Sequence, residues 1–572
     1  MIKILGACKR MPNSIIKVAV GEKEGDILLK NGRILDVRSG EIYNSDILIY
    51  KDKIAAIGKG YRAKKEIDLD NLLISPGLIE GHIHIESSMM SPRYFGEAVI
   101  RQGTTTVIAD PHEIANVLGL KGIEFMLEDS EQLPVDIFFM APSCVPATDM
   151  ETSGARLNAD DLILLRDNPR ILGLAEVMNF PGVYLGIEEV LNKIELFDIV
   201  DGHAPLLSGK PLNAYIAAGI YSDHECSLKK EAEEKLRLGM HIMIREGSAA
   251  KNLDELVGLV TDKNWPFFSL VSDDRHPSTL LNEGHINSLI KKAYNKGLSL
   301  INAVRLATIN TAKYFRLFDR GEIIPGKLAD LTVMDESLTV HYVIKSGEVV
   351  VREGQIVKDI THPTNRQIGE INSIVDPSHL KIKQESGKIK VIVAHDSSLI
   401  TDIMTVTPTI KDGEVISDTK RDILKISVWE RHHGTGNVGV GFIHGFGLKD
   451  GAIASSVAHD SHNILCVGVK DEDIIFAVKR IVELGGGLVV VAQGRVLSEI
   501  ALPISGLMCD LAVDELSKLE VQLNDATKKL GCKMSNPFMT LSFMALPVIP
   551  HLKITDKGLV DVNKFCFTSL WN

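Results

Sequence analysis

Two histidines, His82 and His84, stand one residue apart at the end of the apolar stretch LISPGLIEGHIH. Other metal-binding types of residue follow later apolar stretches in the same way: Glu176, His203, His224 and Asp273. Imidazole nitrogens and carboxylate oxygens are common ligands of divalent transition metals. Four histidines and two carboxylates exceed what one tetrahedral ion needs. The set therefore predicts two ions with a carboxylate between them.

The H-x-H spacing has a physical explanation if the stretch is a strand. Residues i and i+2 of a strand point the same way, so His82 and His84 would project together toward one ion. A single buried histidine is more often a packed core residue than a ligand. Six candidates at five strand ends favour a metal site. Nitrogen and oxygen ligands without thiolates suit Zn, Mn or Fe, and these residues do not choose among them.

The stretch DPHEIANVLG allows two interpretations. Asp110, His112 and Glu113 follow the second apolar stretch and could belong to the site. Alternatively, Asp110 could cap a helix that has Pro111 at its first position.

Two further groups of polar residues also stay open. Arg245 and Glu246 could serve the site or form an ion pair that closes the barrel end. His444, His459 and His462, the last two in HDSHN, could approach the site or form a polar turn folded on their own domain. The second interpretation is slightly favoured.

The elements that must position these residues are eight apolar, strand-like stretches between residue 74 and about residue 275. Amphipathic segments such as SLKKEAEEKLRLG separate most of them. Repeated strand–helix units predict an α/β fold with a (β/α)8 TIM-like barrel. The carboxyl ends of its strands meet on one face, where active sites of this fold lie, so all six candidates would converge there.

Strand-like segments also flank the barrel, in residues 20–75 and in PGKLADLTVMDESLTVHYVIKSGEVVVREG. We predict that they pair into a small β-sandwich domain in which the barrel is inserted; two unrelated β-pieces are the alternative. A polar linker then leads to a C-terminal α/β domain. The predicted limits are 1–73 with 322–360 for the β-domain, 74–321 for the barrel, 361–385 for the linker and 386–572 for the last domain.

Composition restricts the class of protein. A chain of 572 residues is too long for one hydrophobic core, so two or three domains are expected. A net charge of −12 gives no general attraction to nucleic acid or to an anionic membrane. No apolar run reaches the roughly 18 residues of a membrane span. The apolar part of the first segment, MIKILGACKRMPNS, is too short for a secretory signal. Seven scattered cysteines without CxxC predict a cytoplasmic protein and no zinc ribbon.

At these residues the chain resembles the amidohydrolase superfamily and, within it, the adenine deaminase subgroup of bacteria and archaea. The resemblance is carried by SPGLIEGHIHIESS, GTTTVIADPHEIANVLG, LAEVMNFPGV, DGHAP, SDHE, MIREGSA and SDDRHP, and by HHGTGNVGVGFIHGFGLKDGAIASSVAHDSHN. It covers essentially the whole chain. The motifs are specific because each barrel motif lies at the predicted end of its own strand.

The resemblance implies a role for each metal-binding candidate. His82 and His84 would bind the first metal, and His203 and His224 the second. Glu176 would bridge the metals, in the place that many superfamily members give to a carboxylated lysine. Manganese or iron is favoured, with zinc as the alternative.

The implied reaction is hydrolysis of adenine to hypoxanthine and ammonia, in purine salvage. Two cations would lower the pKa of a bridging water, and the resulting hydroxide would attack the carbon that carries the amine. Asp273 would be a ligand of the first metal and would move the proton, as base and then acid. It is preferred to Asp274 because it comes first after the strand. Glu113 and Arg245 are candidates for reading the purine edge, and a homo-oligomer is expected.

Two other functions compete with this one. An amidohydrolase of the dihydroorotase or hydantoinase type would open a cyclic amide, but Glu176 and the additional C-terminal domain argue against it. A non-catalytic metal- or purine-binding protein is expected to have lost a ligand or the aspartate of the eighth strand. All of these residues are present.

Overall fold

The computed structural model describes residues 13–248, 250–396 and 398–572. Most of the amino-terminal segment on which the secretory-signal expectation rested, including Cys8, lies outside these residues. Within the described ranges, no helix combines the length and the apolar character needed to cross a membrane.

The described chain begins with a short helix and five strands. These are α1 (Asn13–Ala19), β1 (Gly25–Leu35), β2 (Ile42–Tyr50), β3 (Lys53–Ile57), β4 (Ala63–Asp68) and β5 (Leu73–Pro76). β1 pairs antiparallel with β2 and parallel with both β4 and β5. β5 runs almost directly into the first strand of the barrel, so the sheet and the barrel are joined without a linker.

Eight parallel strands follow and form the barrel. They are β6 (Leu78–Ile83), β7 (Thr104–Ala109), β8 (Asp136–Ala141), β9 (Ile171–Val177), β10 (Val200–Gly202), β11 (Ser222–Asp223), β12 (His241–Arg245) and β13 (Phe268–Val271). β6–β10 form one arc and β11–β13 another.

Two contacts join the arcs into a ring. The Gly202 amide donates to Ser222 Oγ (3.1 Å) between β10 and β11. On the other side, the Asp273 amide donates to the His82 carbonyl (2.9 Å), and the His84 amide donates to the Asp273 carbonyl (3.1 Å). The predicted (β/α)8 barrel is confirmed, and the second seam places His82, His84 and Asp273 side by side.

Helices cover the outside of the barrel. Their bounds are α2 (Pro92–Ile100), α3 (His112–Leu118), α4 (Leu120–Asp129), α5 (Ala159–Arg166), α6 (Phe180–Tyr184), α7 (Glu188–Glu195), α8 (Gly209–Ala217), α9 (Lys229–Arg237), α10 (Leu253–Leu256), α11 (Pro277–Asn282), α12 (Ile286–Asn295), α13 (Leu300–Leu306) and α14 (Ile309–Tyr314). Because the helices shield the outer face, the barrel strands are buried on both sides and read as continuous apolar runs.

The chain then returns to the first sheet with four more strands. These are β14 (Leu331–Met334), β15 (Val340–Lys345), β16 (Glu348–Arg352) and β17 (Gln355–Ile356). β14 pairs antiparallel with β5, Val333 opposite Ile74, so strands from both flanks form one nine-stranded sheet. This sheet has its own hydrophobic cluster, which includes Ile34, Ile47 and Ile344. The exact domain limits stay predictions.

The C-terminal part is a mixed α/β domain. Its strands are β18 (Ile389–Val393), β19 (Asp402–Val406), β20 (Thr409–Lys411), β21 (Glu414–Ile416), β22 (Leu424–Trp429), β23 (Val438–His444), β24 (Ala452–Ser455), β25 (Ile464–Gly468), β26 (Gly487–Ala492), β27 (Arg495–Ala501), β28 (Leu552–Thr555), β29 (Gly558–Asp561) and β30 (Cys566–Phe567). Its helices are α15 (Asp471–Glu483), α16 (Val513–Lys529) and α17 (Pro537–Ser542). Eight of these strands form a largely antiparallel sheet, which α15 covers.

The C-terminal domain is fixed to the barrel by buried polar contacts. Arg366 pairs with Asp129 of α4 (2.5 Å) and with Asp510 of the last domain (2.7 Å). His276 Nδ1, at the start of α11, lies 3.0 Å from Glu520 of α16. These contacts hold the domain over the barrel at the end where the strands terminate.

Candidate active site

The carboxyl ends of the barrel strands bring the six predicted ligand residues into one buried cluster. His82 lies on β6 and His84 directly follows it. The others end or follow later strands: Glu176, His203, His224 and Asp273. Each of the six is at most 9% exposed. The rings of His82 and His84 lie with their centroids 5.0 Å apart, as their i, i+2 spacing on one strand predicts.

The first group of ligand atoms surrounds one oxygen of Asp273. His84 Nε2 lies 3.1 Å from Asp273 Oδ1 and 3.3 Å from Glu176 Oε1. His82 Nε2 lies 3.5 Å from the same Asp273 oxygen. One ligand atom from each of His82, His84 and Asp273 fits within 4.8 Å of the other two, close enough to hold one ion.

The second group surrounds the other oxygen of Glu176. His203 Nδ1 lies 2.6 Å from Glu176 Oε2, and His224 Nε2 lies 3.1 Å from it. The two oxygens of Glu176 therefore face different histidines, Oε1 toward His84 and Oε2 toward the second pair. This is the geometry required of a carboxylate between two cations.

The donor set fits a pair of divalent cations. All six side chains offer nitrogen or oxygen, and the side chains that line the surrounding cavity include no cysteine. His82 Nε2 is buried and has no hydrogen-bond partner among the described residues. An unpaired buried nitrogen costs free energy, and a metal ion would remove that cost.

The electrostatics of the cluster favour positive charge. Burial lowers the pKa of His224, but Glu176 and Asp273 outweigh burial and raise that pKa to about 9. The pKa of His84 is raised well above its usual value by the same two carboxylates, against the effect of burial. Burial raises the pKa of Glu176, yet His203 and His224 hold it well below the ordinary range. A site that retains protons on its imidazoles can exchange them for cations.

The two adjacent aspartates face different neighbours. Asp273 Oδ1 faces the imidazoles, and its Oδ2 accepts a hydrogen bond from Arg245 Nη1 (2.6 Å). Burial raises the pKa of Asp273, but Arg245, His82 and His84 together hold it well below its usual range. Asp274 Oδ1 instead accepts a hydrogen bond from Ser87 Oγ (2.5 Å).

Both residues suggested for substrate recognition, Glu113 and Arg245, line the same cavity. Ser87 Oγ lies 3.3 Å from Glu113 Oε1, and His459 Nδ1 lies 3.2 Å from that oxygen. Burial and the nearby Glu86 raise the pKa of Glu113 well above its usual value. Arg245 is held between Asp273 and Glu225, so its guanidinium is already engaged.

Comparison with known proteins gives matches along the whole chain. The profile of the amidohydrolase family matches residues 73–350, and that of the adenine deaminase C-terminal domain matches residues 398–566. An adenine deaminase of Desulfatibacillum aliphaticivorans is 48% identical, over 98% of this chain and 99% of its own length. The adenine deaminase of Kosmotoga olearia is 45% identical, over 97% of this chain and 98% of its own length. That of Brucella suis is 44% identical, over 98% of this chain and 97% of its own length. The chain belongs to the adenine deaminase family.

The structure shows which partners Arg245 and Glu246 have at the end of β12. The suggested ion pair between Arg245 and Glu246 is wrong: Arg245 pairs with Asp273 and Glu225, whereas Glu246 pairs with Lys292 (2.6 Å). Successive residues of a strand point to opposite faces, so Arg245 points into the barrel mouth and Glu246 points away from it.

The expected cap is shifted by one residue: α3 begins at His112, so Pro111 and not Asp110 occupies the N-cap position, and Pro111 makes no side-chain capping bond. Asp110 Oδ1 accepts a hydrogen bond from the His112 amide (3.1 Å), and Oδ2 lies 2.9 Å from His112 Nδ1. His112 is also part of the site, because its Nδ1 lies 3.6 Å from Glu176 Oε1.

The favoured interpretation of HDSHN was wrong. His459 and Asp460 line the catalytic cavity of the barrel instead of folding back on their own domain. His462 is buried next to His459, with ring centroids 5.5 Å apart. His444 lies on β23, where its Nδ1 is 3.1 Å from the Asp422 carbonyl. The polar composition of the stretch carries no information about which domain it contacts.

Glu225 is a member of the cluster that the sequence did not single out. Its Oε1 lies 3.6 Å from His224 Nε2 and 3.7 Å from His203 Nδ1, and it is paired with Arg245. The available signal was its position immediately after His224 at a strand end. A strand-end carboxylate next to a ligand is a reasonable member of the same site.

Proposed function

We propose that this protein hydrolyses adenine to hypoxanthine and ammonia, in purine salvage. The observation that carries the proposal is the position of Glu176, whose two oxygens face separate groups of buried histidines with Asp273 alongside. The name adenine deaminase that full-length relatives carry supports the choice of substrate.

The proposed metal ligands are those of the two groups described above. His82, His84 and Asp273 would hold the first cation, and His203 and His224 the second, with Glu176 between them. When bound, the cations supply Lewis acidity and lower the pKa of water toward neutrality. Nitrogen and oxygen donors without thiolate suit manganese, iron and zinc alike. The preference for manganese or iron rests on the resemblance to the adenine deaminase subgroup, and metal analysis decides this point.

Asp273 is the proposed proton carrier. Its carboxyl group stays ionised at neutral pH because Arg245 and the two imidazoles stabilise the charge. Oδ1 would accept the proton of water as water adds to the ring and would return it to the departing amine nitrogen. Arg245 would fix the orientation of Asp273 through Oδ2, and Glu113, also in the cavity, would face the purine edge.

The decisive experiment is to prepare the protein with controlled manganese, iron or zinc and to measure bound metal and ammonia release from adenine. We expect about two metal ions per chain and ammonia equal to the hypoxanthine formed. Hydantoin and dihydroorotate serve as comparison substrates. Faster opening of either ring than deamination of adenine would favour the cyclic-amide alternative.

The proposed setting is the cytoplasm. Six cysteines lie in the described part of the chain, and none of the six forms a disulfide. The net charge of −12 supports a small-molecule substrate rather than nucleic acid. A homo-oligomer stays a prediction, which sedimentation velocity would test.

A further inference from the structure

The catalytic cavity has two different walls. The barrel supplies the polar wall that carries the proposed ligands. The C-terminal domain supplies four apolar side chains, here called the apolar wall: Leu399, Phe543, Leu546 and Ile549. Two polar residues of the same domain, His459 and Asp460, also line the cavity. Apolar surface with a few fixed polar groups is typical of sites that bind flat heteroaromatic rings.

Asp460 has an incomplete set of hydrogen bonds. Its side chain is 3% exposed, and its Oδ2 has no hydrogen-bond partner among the described residues. Its Oδ1 lies 3.8 Å from both His112 Nε2 and His459 Nδ1, which is beyond hydrogen-bond distance. A buried acceptor without a partner costs free energy. A donor that arrives with the substrate would account for this arrangement.

The chemistry of adenine limits which donor that can be. The exocyclic amine is attached to the reacting carbon and must approach Glu176 and Asp273 on the barrel wall. The remaining donor of adenine is the single N–H of its five-membered ring. With the reacting carbon at the barrel wall, the five-membered ring is directed toward the C-terminal domain, which contributes Asp460.

We propose that Asp460 accepts the N–H of the five-membered purine ring and so restricts the site to free bases. The inference rests on the proposed function, since it takes adenine as the substrate. Nucleosides carry a carbon substituent on that ring and have no N–H there, so they cannot form this bond. Asp460 is thus a specificity residue supplied to the barrel by the C-terminal domain.

Ligand binding to the metal-loaded protein tests this directly. Isothermal titration calorimetry would compare hypoxanthine with 7-methylhypoxanthine and 9-methylhypoxanthine, both of which lack the N–H of the five-membered ring. We expect wild type to bind hypoxanthine about 10- to 100-fold more tightly than either methylated base. In Asp460→Leu, the binding of hypoxanthine should weaken to the affinity of the methylated bases. The affinities of the methylated bases should change less than about threefold.

The matched control is Asp402→Leu, an aspartate of the same domain whose side chain is 62% exposed. It should leave all three affinities unchanged. Thermal unfolding and metal content establish that each variant is folded and loaded. Asp460→Asn keeps an oxygen acceptor and should retain part of the preference for hypoxanthine, and it replaces Asp460→Leu if that variant does not fold.

Three results would overturn the proposal. If Asp460→Leu weakens the binding of all three ligands equally, Asp460 has only a packing role. If hypoxanthine binds to Asp460→Leu as it binds to wild type, Asp460 has no role in recognition. A wild-type protein that binds the three bases equally would also exclude it. Failure of the proposed function looks different: wild type would then release no ammonia from adenine, whatever its preference among the three bases.

Discussion

Glu176 is surrounded by imidazole nitrogens of four histidines, and each of its oxygens has different neighbours. Replacing it with glutamine keeps the shape and removes the charge that two cations would share. We expect Glu176→Gln to reduce bound metal to one ion or fewer and to lower ammonia release more than about 100-fold, since loss of a supporting residue alone costs 10- to 100-fold. Metal analysis and an ammonia assay measure both. The control is Glu189→Gln, half exposed on α7. Wild-type turnover in Glu176→Gln at that low metal content would remove the bridging role.

The two adjacent aspartates can be separated by matched amides. Asp273→Asn should retain metal and lose turnover by about 100- to 10,000-fold, because an amide cannot carry the proton. Asp274 is bonded to Ser87 instead of facing the imidazoles, so Asp274→Asn should cost less than about tenfold. Steady-state rates of ammonia release, with metal content measured in parallel, decide which aspartate carries the proton. The opposite ranking of the two variants would transfer the proposed role to Asp274.

Metal binding should release protons in a manner that depends on pH. Without metal, the pKa of His224 is about 9, above its ordinary value, so its extra proton is bound below that pH and lost above it. A cation must displace this proton at pH 7.5 but not at pH 9.5. Titration calorimetry in two buffers of different ionisation enthalpy should show up to about one proton fewer released at pH 9.5. Identical release at both values would contradict the raised pKa.

The same shift has a consequence for stability in the metal-free protein. Because the pKa of His224 is higher in the folded than in the unfolded protein, protonation of His224 stabilises the fold. This contribution is fully present below the unfolded-state pKa, near 6.5, and it is lost as pH rises through about 9. The metal-free protein should therefore lose stability over this window, and bound metal should reduce the loss.

At the scale of elements, Glu80 fixes the spacing of the two strands that carry the first ligand group. It is fully buried in β6, where Oε1 accepts from the His82 amide (3.0 Å) and from the Ser272 amide (3.2 Å). Its Oε2 lies 3.2 Å from His285 Nε2. The carboxylate thus ties β6 to the end of β13 directly beneath the site.

Removing this link should affect both stability and the metal site. Glu80→Ala leaves two buried amides without their acceptor and removes one partner of the His285 imidazole, so we expect a loss of about 3–5 kcal/mol in the free energy of unfolding and lower metal content. Urea unfolding and metal analysis measure the two effects. The control is Glu124→Ala, at an exposed position of α4. An unchanged midpoint for Glu80→Ala would show that the strands do not depend on this carboxylate.

The barrel strands could be predicted because they are apolar and most of them end in ligand-type residues. This signal located even β10 and β11, which contain three and two residues. The position of Asp460 could not be predicted, since it depends on how a loop after β24 packs on a distant domain. Periodicity reports which face of an element is buried, but it does not report which element covers that face.

At the scale of the whole molecule, Arg366 joins the linker, the barrel and the C-terminal domain. Its partners, Asp129 and Asp510, have side chains that are 3% and 1% exposed. Arg366→Ala would leave Asp510 without its cation and Asp129 with Arg93 alone (3.8 Å), so we expect a loss of about 3–5 kcal/mol in the free energy of unfolding. Thermal unfolding and ammonia release should both respond, because the C-terminal domain forms one wall of the cavity. Lys381→Ala, which breaks an exposed pair with Glu414, is the control and should have little effect. Equal melting temperatures of the two variants would contradict this role.

The inserted barrel also determines when the first sheet can be completed. β5 ends at Pro76 and its partner β14 starts at Leu331, so a ribosome must deliver the entire barrel before the two strands meet. Until then the nascent chain displays an open strand edge, which invites pairing with other chains. Such distant pairing is intrinsically slow. The amino-terminal strands are thus the segment that most needs chaperone protection during synthesis.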